Sequence, residues 1–322
     1  MAVIIQKFGG TSVASDASRE QVLQKISGEI KAGNSPVVVV SAMGRRGAPY
    51  ATDTFLDLVP GAAPDLAALI VSCGEIISAC IVAHSLNQKG IRAQALSAYT
   101  AGIMASGPYD GAQPVDIKTA QLEALIKEGI VPVIAGFQGV LPDSSIATLG
   151  RGGSDTTAVA LGAWLGAEYV DIFTDVPGVA MADPRIVPEA PFIPYLGYSS
   201  MVRLSSLGSR VLHDLSAKIA LEKNVCVRIR STFDDTPGTI IGSDENDKGP
   251  DLVGITVKEK DAGVSLVTLV LKTGRGSAAA EKIAGQHKIS PHPSGDSDAF
   301  VFELSSAQVK ETLGEILKPY IS

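Results

Sequence analysis

Four consecutive valines, Val37 to Val40, restrict the fold of this chain more than any other feature. They follow Pro36 and are bounded by turn-forming residues. A strand with one wet face alternates apolar and polar side chains. A run with no polar member is buried on both faces, as in a parallel sheet covered by helices. The flanking sequence agrees. Residues 3–6 form a short apolar strand, broken by Gly9-Gly10-Thr11-Ser12. In residues 16–31, Val22, Ile26 and Ile30 recur every four positions and lay one apolar stripe along a helix. Ser18 followed by Gln21 reads as its capping box and Gly33 as its stop. The first forty residues thus form a right-handed βαβ unit.

The alternation continues. Helices are expected over 66–86, 117–127, 155–165 and most of 201–222, and strands over 92–96, 131–136, 169–174 and 225–230. This is an α/β fold, an open and mostly parallel sheet with helices on both sides. The polar, Pro- and Gly-bearing stretch 243–250 reads as a linker. Beyond it come strand 264–271, helix 277–284, strand 298–304 and helix 307–317, a small α+β module.

Composition suits such a fold and narrows the function. Of 322 residues, 45% are hydrophobic and 5% aromatic, with 33 glycines, which matches a Val/Ile/Ala-rich sheet with many tight turns. The net charge of −7, with no basic stripe, argues against nucleic acid and against a membrane surface as partners. No uninterrupted apolar segment approaches membrane-spanning length. The short apolar run at the N-terminus has no basic residues before it and reads as a strand rather than a signal peptide. Three scattered cysteines, Cys73, Cys80 and Cys226, point to a reducing compartment, so the cytoplasm is expected. No His/Cys spacing matches a zinc site, and His287 and His292 read as loop residues.

Three segments at strand ends carry chemistry. In Lys7-Phe8-Gly9-Gly10-Thr11-Ser12 the glycines let backbone N–H groups approach phosphate oxygens, the next helix adds partial positive charge, and Lys7 adds a full one. A tight turn beside an ordinary lysine explains the same residues equally well. No G-x-x-x-x-G-K-[ST] loop occurs in the chain. Gly150-Arg151-Gly152-Gly153-Ser154-Asp155 puts Arg, Ser and Asp beside a second such turn. Arg suits carboxylates, while Asp155 alone also fits a helix N-cap. Thr174-Asp175-Val176-Pro177-Gly178 ends a strand where open α/β sheets bind ligands, and also fits a plain surface turn. Ser41 ends the valine strand. Glu75 stands inside an apolar helix, where a carboxylate needs a partner, either a helix–loop contact or a polar ligand. Gly274-Arg275-Gly276-Ser277-Ala278-Ala279 fits a loose dinucleotide pattern, but too little chain follows for a nucleotide domain.

In order and spacing, KFGGTSV, VVVVSAMG, SCGE, GRGGSDTTAVAL, FTDVPGV and ADPRIV resemble the aspartokinases over residues 1 to about 240. The resemblance implies a three-layer αβα amino-acid kinase fold over 1–242 and an ACT-like α+β domain over 251–322. It implies transfer of a phosphoryl group from ATP, with Mg²⁺, to the side-chain carboxylate of aspartate. The alternatives are another amino-acid carboxylate or a catalytically weak regulatory homologue.

It also implies roles for particular residues. Lys7 and Asp155 are catalytic, and Ser41, Thr52, Glu75, Arg151 and Ser154 surround aspartate, Glu75 on its amino group and Arg151 on a carboxylate. Lys7, Phe8, Gly9, Gly10, Gly152, Gly153, Thr174, Asp175, Ala180, Asp183, Arg185 and Arg210 hold ATP, and no side chain is assigned to a metal. The chain departs from the family at Gly208-Ser209-Arg210, where a Gly-Ala-Lys element is usual, at Ala180-Met181, and at His213-Asp214-Leu215-Ser216. Room for one ACT-type module instead of two implies weak or absent inhibition by lysine and threonine. Modules of this kind pair, so a homodimer is expected.

Overall fold

The structure is a computed structural model that describes residues 1–209, 211–261, 263–287, 289–293 and 295–321. These divide into two compact units, Met1–Pro177 with Glu222–Thr236, and Gly178–Leu221 with Pro237–Ser322.

The first unit runs β1 (Val3–Phe8), α1 (Asp16–Lys31), β2 (Ser35–Val40), α2 (Thr52–Asp57), α3 (Pro64–Gln88), β3 (Ala93–Leu96), α4 (Ala98–Ala101), β4 (Ile103–Ser106), β5 (Gln113–Ile117), α5 (Ala120–Lys127), β6 (Val131–Ala135), β7 (Gln138–Val140), β8 (Ile146–Thr148), α6 (Gly153–Trp164) and β9 (Val170–Thr174). Its large sheet is parallel throughout and has β2 near its middle, paired with β1 on one side and β6 on the other. β9 flanks β1, and β3 flanks β6. Val37 to Val40 are completely buried, as their lack of polar partners requires. Each such side chain contributes about 1.5–3 kcal/mol of burial. Val38 and Val40 pack with Val22, Leu23 and Ile26 of α1 and with Ala79, Val82 and Leu86 of α3. Ile30 ends the α1 stripe at 36% exposure.

The α1 capping box is one turn earlier than expected. Ser15 is the N-cap and exchanges hydrogen bonds with Ser18, while Gly33 follows the helix end at φ +86°. A second, four-stranded sheet has the order β5-β4-β7-β8. The sequence hid it because its strands are three to five residues long, too short to show a period. It takes over residues 113–117, so α5 begins at Ala120, later than expected. α3 is long and apolar enough to cross a membrane by length and composition, although Glu75 interrupts its apolar run. Half of its most apolar stretch is buried within the protein.

The chain continues through β10 (Tyr195–Gly197), α7 (Tyr198–Ser206), α8 (Asp214–Lys223), β11 (Val227–Ser231), β12 (Thr239–Gly242), β13 (Leu252–Asp261), β14 (Val264–Leu271), α9 (Gly276–His287), β15 (His292–Pro293), β16 (Ala299–Ser305) and α10 (Val309–Leu317). β11 pairs in parallel with β9 and extends the first unit's sheet. Arg228 and Arg230, the basic alternation on β11, neutralise the fully buried Asp171 of β9, Arg228 through two hydrogen bonds of 2.6 and 2.7 Å. The mostly helical stretch expected over 201–222 is two helices, α7 and α8, and Gly208, with φ +117°, follows the C-cap of α7.

The second unit holds a parallel β10–β12 pair and an antiparallel sheet in the order β13-β14-β16-β15. β13 escaped detection because its outer half is charged (Lys258-Glu259-Lys260-Asp261) and exposed. Residues 243–250 are not a loose linker. Asp244 accepts from the N–H and the hydroxyl of Ser199, Asp247 accepts from Gly197 N–H, and Lys272 pairs with Asp247 at 2.8 Å. His287 closes α9 and His292 lies in β15, so neither is a loop residue. The dinucleotide lookalike is also explained. Asp298, 4% exposed, accepts 3.0 Å hydrogen bonds from the N–H groups of Gly274 and Gly276, so its carboxylate already occupies the anion cradle.

Candidate active site

The Gly9-Gly10 turn leaves β1 and is closed from above by residues 41–44, which leave β2. Ser41 N–H donates to Phe8 O at 3.1 Å and Gly44 N–H to Gly10 O at 2.9 Å. A Cβ on Gly10 would stand 2.6 Å from the carbonyl oxygens of both Ala42 and Gly44, so only glycine fits. Phe8 itself is fully buried and stacked on Phe173 of β9 at 4.8 Å, so its side chain is core and it serves the turn through its backbone. Lys7 precedes Phe8 on the same strand, and its Nζ lies 2.6 Å from Asp155 Oδ1.

Asp155 is placed by α6. The helix begins at Gly152, whose φ is +68° and which has no side-chain cap, so Asp155 is in the first turn and not at the N-cap. Gly150 has φ +70°, and a Cβ on Gly153 would stand 2.7 Å from the Phe137 ring. The Gly-Arg-Gly-Gly cluster is therefore dictated by two left-handed residues and one close approach. Phe137 is itself left-handed at φ +71°, an uncommon state for an aromatic residue. It is held by its N–H to Thr157 Oγ1 at 3.0 Å and by its carbonyl, which accepts from Leu149 N–H at 2.7 Å.

Glu75 enters from α3. Gly74 before it lets the helix approach closely, since a Cβ there would stand 2.8 Å from Ala42 Cβ and 3.1 Å from Tyr50 O. Glu75 Oε1 accepts from Ala42 N–H at 3.0 Å, while its buried Oε2 has no hydrogen-bond partner among the described residues. Burial pushes its pKa up to about 8, against the smaller opposing effect of the Ala42 hydrogen bond. Among the described residues no cation pairs with this carboxylate.

These groups line one cavity of about 470 Å³, which brings together Lys7, Gly10, Ser41, Thr52, Glu75, Gly152, Gly153 and the Arg151-Ser154-Asp155 group. Asp110, Phe137 and Thr148 also line it and were not singled out from the sequence. They come from the small mixed sheet and its loops, whose strands gave no periodic signal. A Gly before the conspicuous Phe137, at 136, was the one available hint.

Among the expected residues of the first unit, Phe8, Gly9, Thr174 and Asp175 do not line this cavity. A Cβ on Gly9 would be 3.7 Å from Lys7 Nζ. Thr174 Oγ1 donates to Asp175 at 3.1 Å, and Asp175 forms an exposed ion pair with Arg45. In the second unit, Ala180 bridges Phe192, and Asp183 forms an exposed ion pair with Arg185. Arg210 lies outside the described residues.

Residues 2–231 match the amino acid kinase family model. The chain is 41% identical to aspartokinase 1 of Bacillus subtilis over 252 residues, 77% of this chain and 62% of that protein. It is 36% identical to the aspartokinase of Corynebacterium efficiens over 292 residues, 88% of this chain and 68% of that one. It thus spans less than two thirds of the length of the first of these relatives. The crystal structure of aspartate kinase from Synechocystis superposes with a TM-score of 0.66 at 32% identity, covering 99% of this chain and 56% of that one. Escherichia coli aspartokinase III, solved with aspartate and ADP, superposes with a TM-score of 0.81 at 17% identity, covering 99% of this chain and 100% of that one, which is a likeness of fold. The chain belongs to the amino acid kinase family and, within it, to the aspartokinases.

Proposed function

We propose that the protein transfers the terminal phosphoryl group of ATP to the side-chain carboxylate of aspartate, giving the acyl phosphate 4-phospho-L-aspartate. One observation carries this reading: a cavity lined by a cation, Lys7, a guanidinium, Arg151, and a buried carboxylate, Glu75, that has no cation partner among the described residues. An α-amino acid with a second carboxylate supplies that cation and two anions for the basic groups. In this reading Glu75 holds the ammonium, Arg151 a carboxylate, and Ser41, Thr52 and Ser154 complete the aspartate contacts. Escherichia coli aspartokinase III binds aspartate and ADP together, which supports the same ligand pair here.

The acceptor carboxylate is ionised at neutral pH, so no base is needed. One of its oxygens attacks the terminal phosphorus in line, and ADP leaves. The obstacle is repulsion between two anions. Lys7, held against Asp155, and the N–H groups of the Gly9-Gly10 turn offset it as charge spreads over the phosphoryl oxygens. Gly152 and Gly153 extend that glycine-lined surface. Thr174 and Asp175, and in the second unit Ala180, Asp183, Arg185 and Arg210, take the nucleotide contacts.

Among the described residues no group of three or more His, Cys, Asp or Glu side chains is placed to hold a metal ion. Mg²⁺ would be carried by the phosphates of the nucleotide and by water, and would neutralise phosphate charge there. We assign 1–242 to catalysis and 251–322 to an ACT-like module that pairs two copies. The free Cys73, Cys80 and Cys226 support a cytoplasmic setting.

The test is hydroxylamine trapping with ATP, Mg²⁺ and aspartate, with glutamate and acetylglutamate in parallel. Hydroxamate formed with aspartate alone is the expected result. No product with aspartate overturns the assignment.

A further inference from the structure

β13 of the second unit touches two separate segments to which nucleotide contacts are assigned above, 180–185 and the stretch leading to Arg210. Ile255 N–H donates to Met181 O at 2.6 Å. Met181 in turn donates its N–H to Pro191 O at 2.9 Å, so the base of the 180–185 loop is gripped from both sides. One residue on, Thr256 Oγ1 donates to Leu207 O at 3.0 Å. Leu207 is the C-cap of α7, and its carbonyl belongs to the last turn, which has no helical donor of its own. The chain then turns at Gly208, where Ser209 N–H closes back on Leu204 O at 2.9 Å. Gly254 completes the contact. A Cβ there would stand 3.0 Å from Leu204 Cδ2 and 3.2 Å from Met181 O, touching both segments at once.

We propose that Gly254-Ile255-Thr256 on β13 is a positioning element for the nucleotide, fixing the 180–185 loop and the α7 exit in mutual register. The strand does not touch ATP. It sets the separation of two loops that do. This deepens the proposed function and rests on its nucleotide assignment. The region 251–322 is then part of the kinase machinery through its first strand, and not only an appended module. Of the three residues, Thr256 is the one whose side chain can be altered without disturbing the strand's ladder. It is half-buried and its partner is a single carbonyl.

The experiment compares the natural protein with Thr256→Val, Thr256→Ser and Gly254→Ala. It measures steady-state KM for ATP and for aspartate, and equilibrium binding of ADP by calorimetry. Thr256→Val keeps shape and removes the donor. Its KM for ATP and its Kd for ADP should rise about tenfold, the size of one lost hydrogen bond, with KM for aspartate within about twofold. Thr256→Ser should restore both values, and Gly254→Ala should reproduce the defect. A merely structural role would lower the melting temperature and affect both substrates or neither.

The proposal is overturned if the valine variant leaves the ADP Kd unchanged, or if serine fails to restore it. If the natural protein binds ADP but turns over no aspartate, the activity assignment fails while the ADP titration still decides this point. If the natural protein binds no ADP, both fail.

Discussion

Glu75 shows what a single buried side chain does to stability and to binding. Its folded-state pKa is about 8, above an ordinary carboxylate value of 4.5, because burial penalises the charged form. A raised carboxylate destabilises the folded state when ionised. That penalty is absent below pH 4.5, grows as pH rises, and is fully present above about 8. Glu75→Gln should therefore raise the melting temperature at pH 9 and leave it nearly unchanged at pH 4.5, while weakening aspartate binding at least tenfold. Equal shifts at both pH values would remove the argument. An incoming ammonium lowers the Glu75 pKa again, so aspartate binding below pH 8 should release a proton, seen as a buffer-dependent binding enthalpy. Lys7→Met tests the other charge. Losing its positive charge should lower kcat by about 10²–10³, the scale of one lost electrostatic contact to the transition state, measured by coupled ADP release.

At the scale of elements, glycine geometry fixes the site more than any side chain does. Gly10→Ala places a methyl 2.6 Å from two carbonyl oxygens, so the Gly9-Gly10 turn and the 41–44 loop must separate. Activity should fall far more than stability, since the collision is at the cavity and not in the core. Gly152→Ala forces a left-handed alanine at the start of α6, costing about 1–2 kcal/mol by chemical denaturation. The β9–β11 pair carries a different load. Asp171 is fully buried between Arg228 and Arg230, and Arg228 also lies 3.5 Å over the Tyr169 ring. Arg228→Met leaves that carboxylate short of its main partner and should cost about 3–5 kcal/mol.

For the whole molecule, ligands should stabilise by mass action. MgADP at one hundred times its Kd should add about 2.7 kcal/mol to unfolding of the part that binds it, read as a melting shift that grows with the logarithm of ligand concentration. The sequence by itself determined the parallel sheet, because four buried valines without a polar member permit little else. It also marked the turns where glycine is needed, because a left-handed backbone or a close backbone approach favours the residue without a Cβ. Lys7, Arg151 and Asp155 were legible for that reason: Arg151 and Asp155 sit beside the left-handed Gly150 and Gly152, and Lys7 beside Gly10, where the backbone approaches too closely for a Cβ. Only the tertiary structure decided that Glu75, 68 residues from Lys7 in the chain, shares its cavity, and that Asp110, Phe137 and Thr148 close it. The same is true of β13 reaching both Met181 and Leu207. Strands of three residues and contacts across dozens of positions leave no periodicity for local sequence to record; packing alone brings them together.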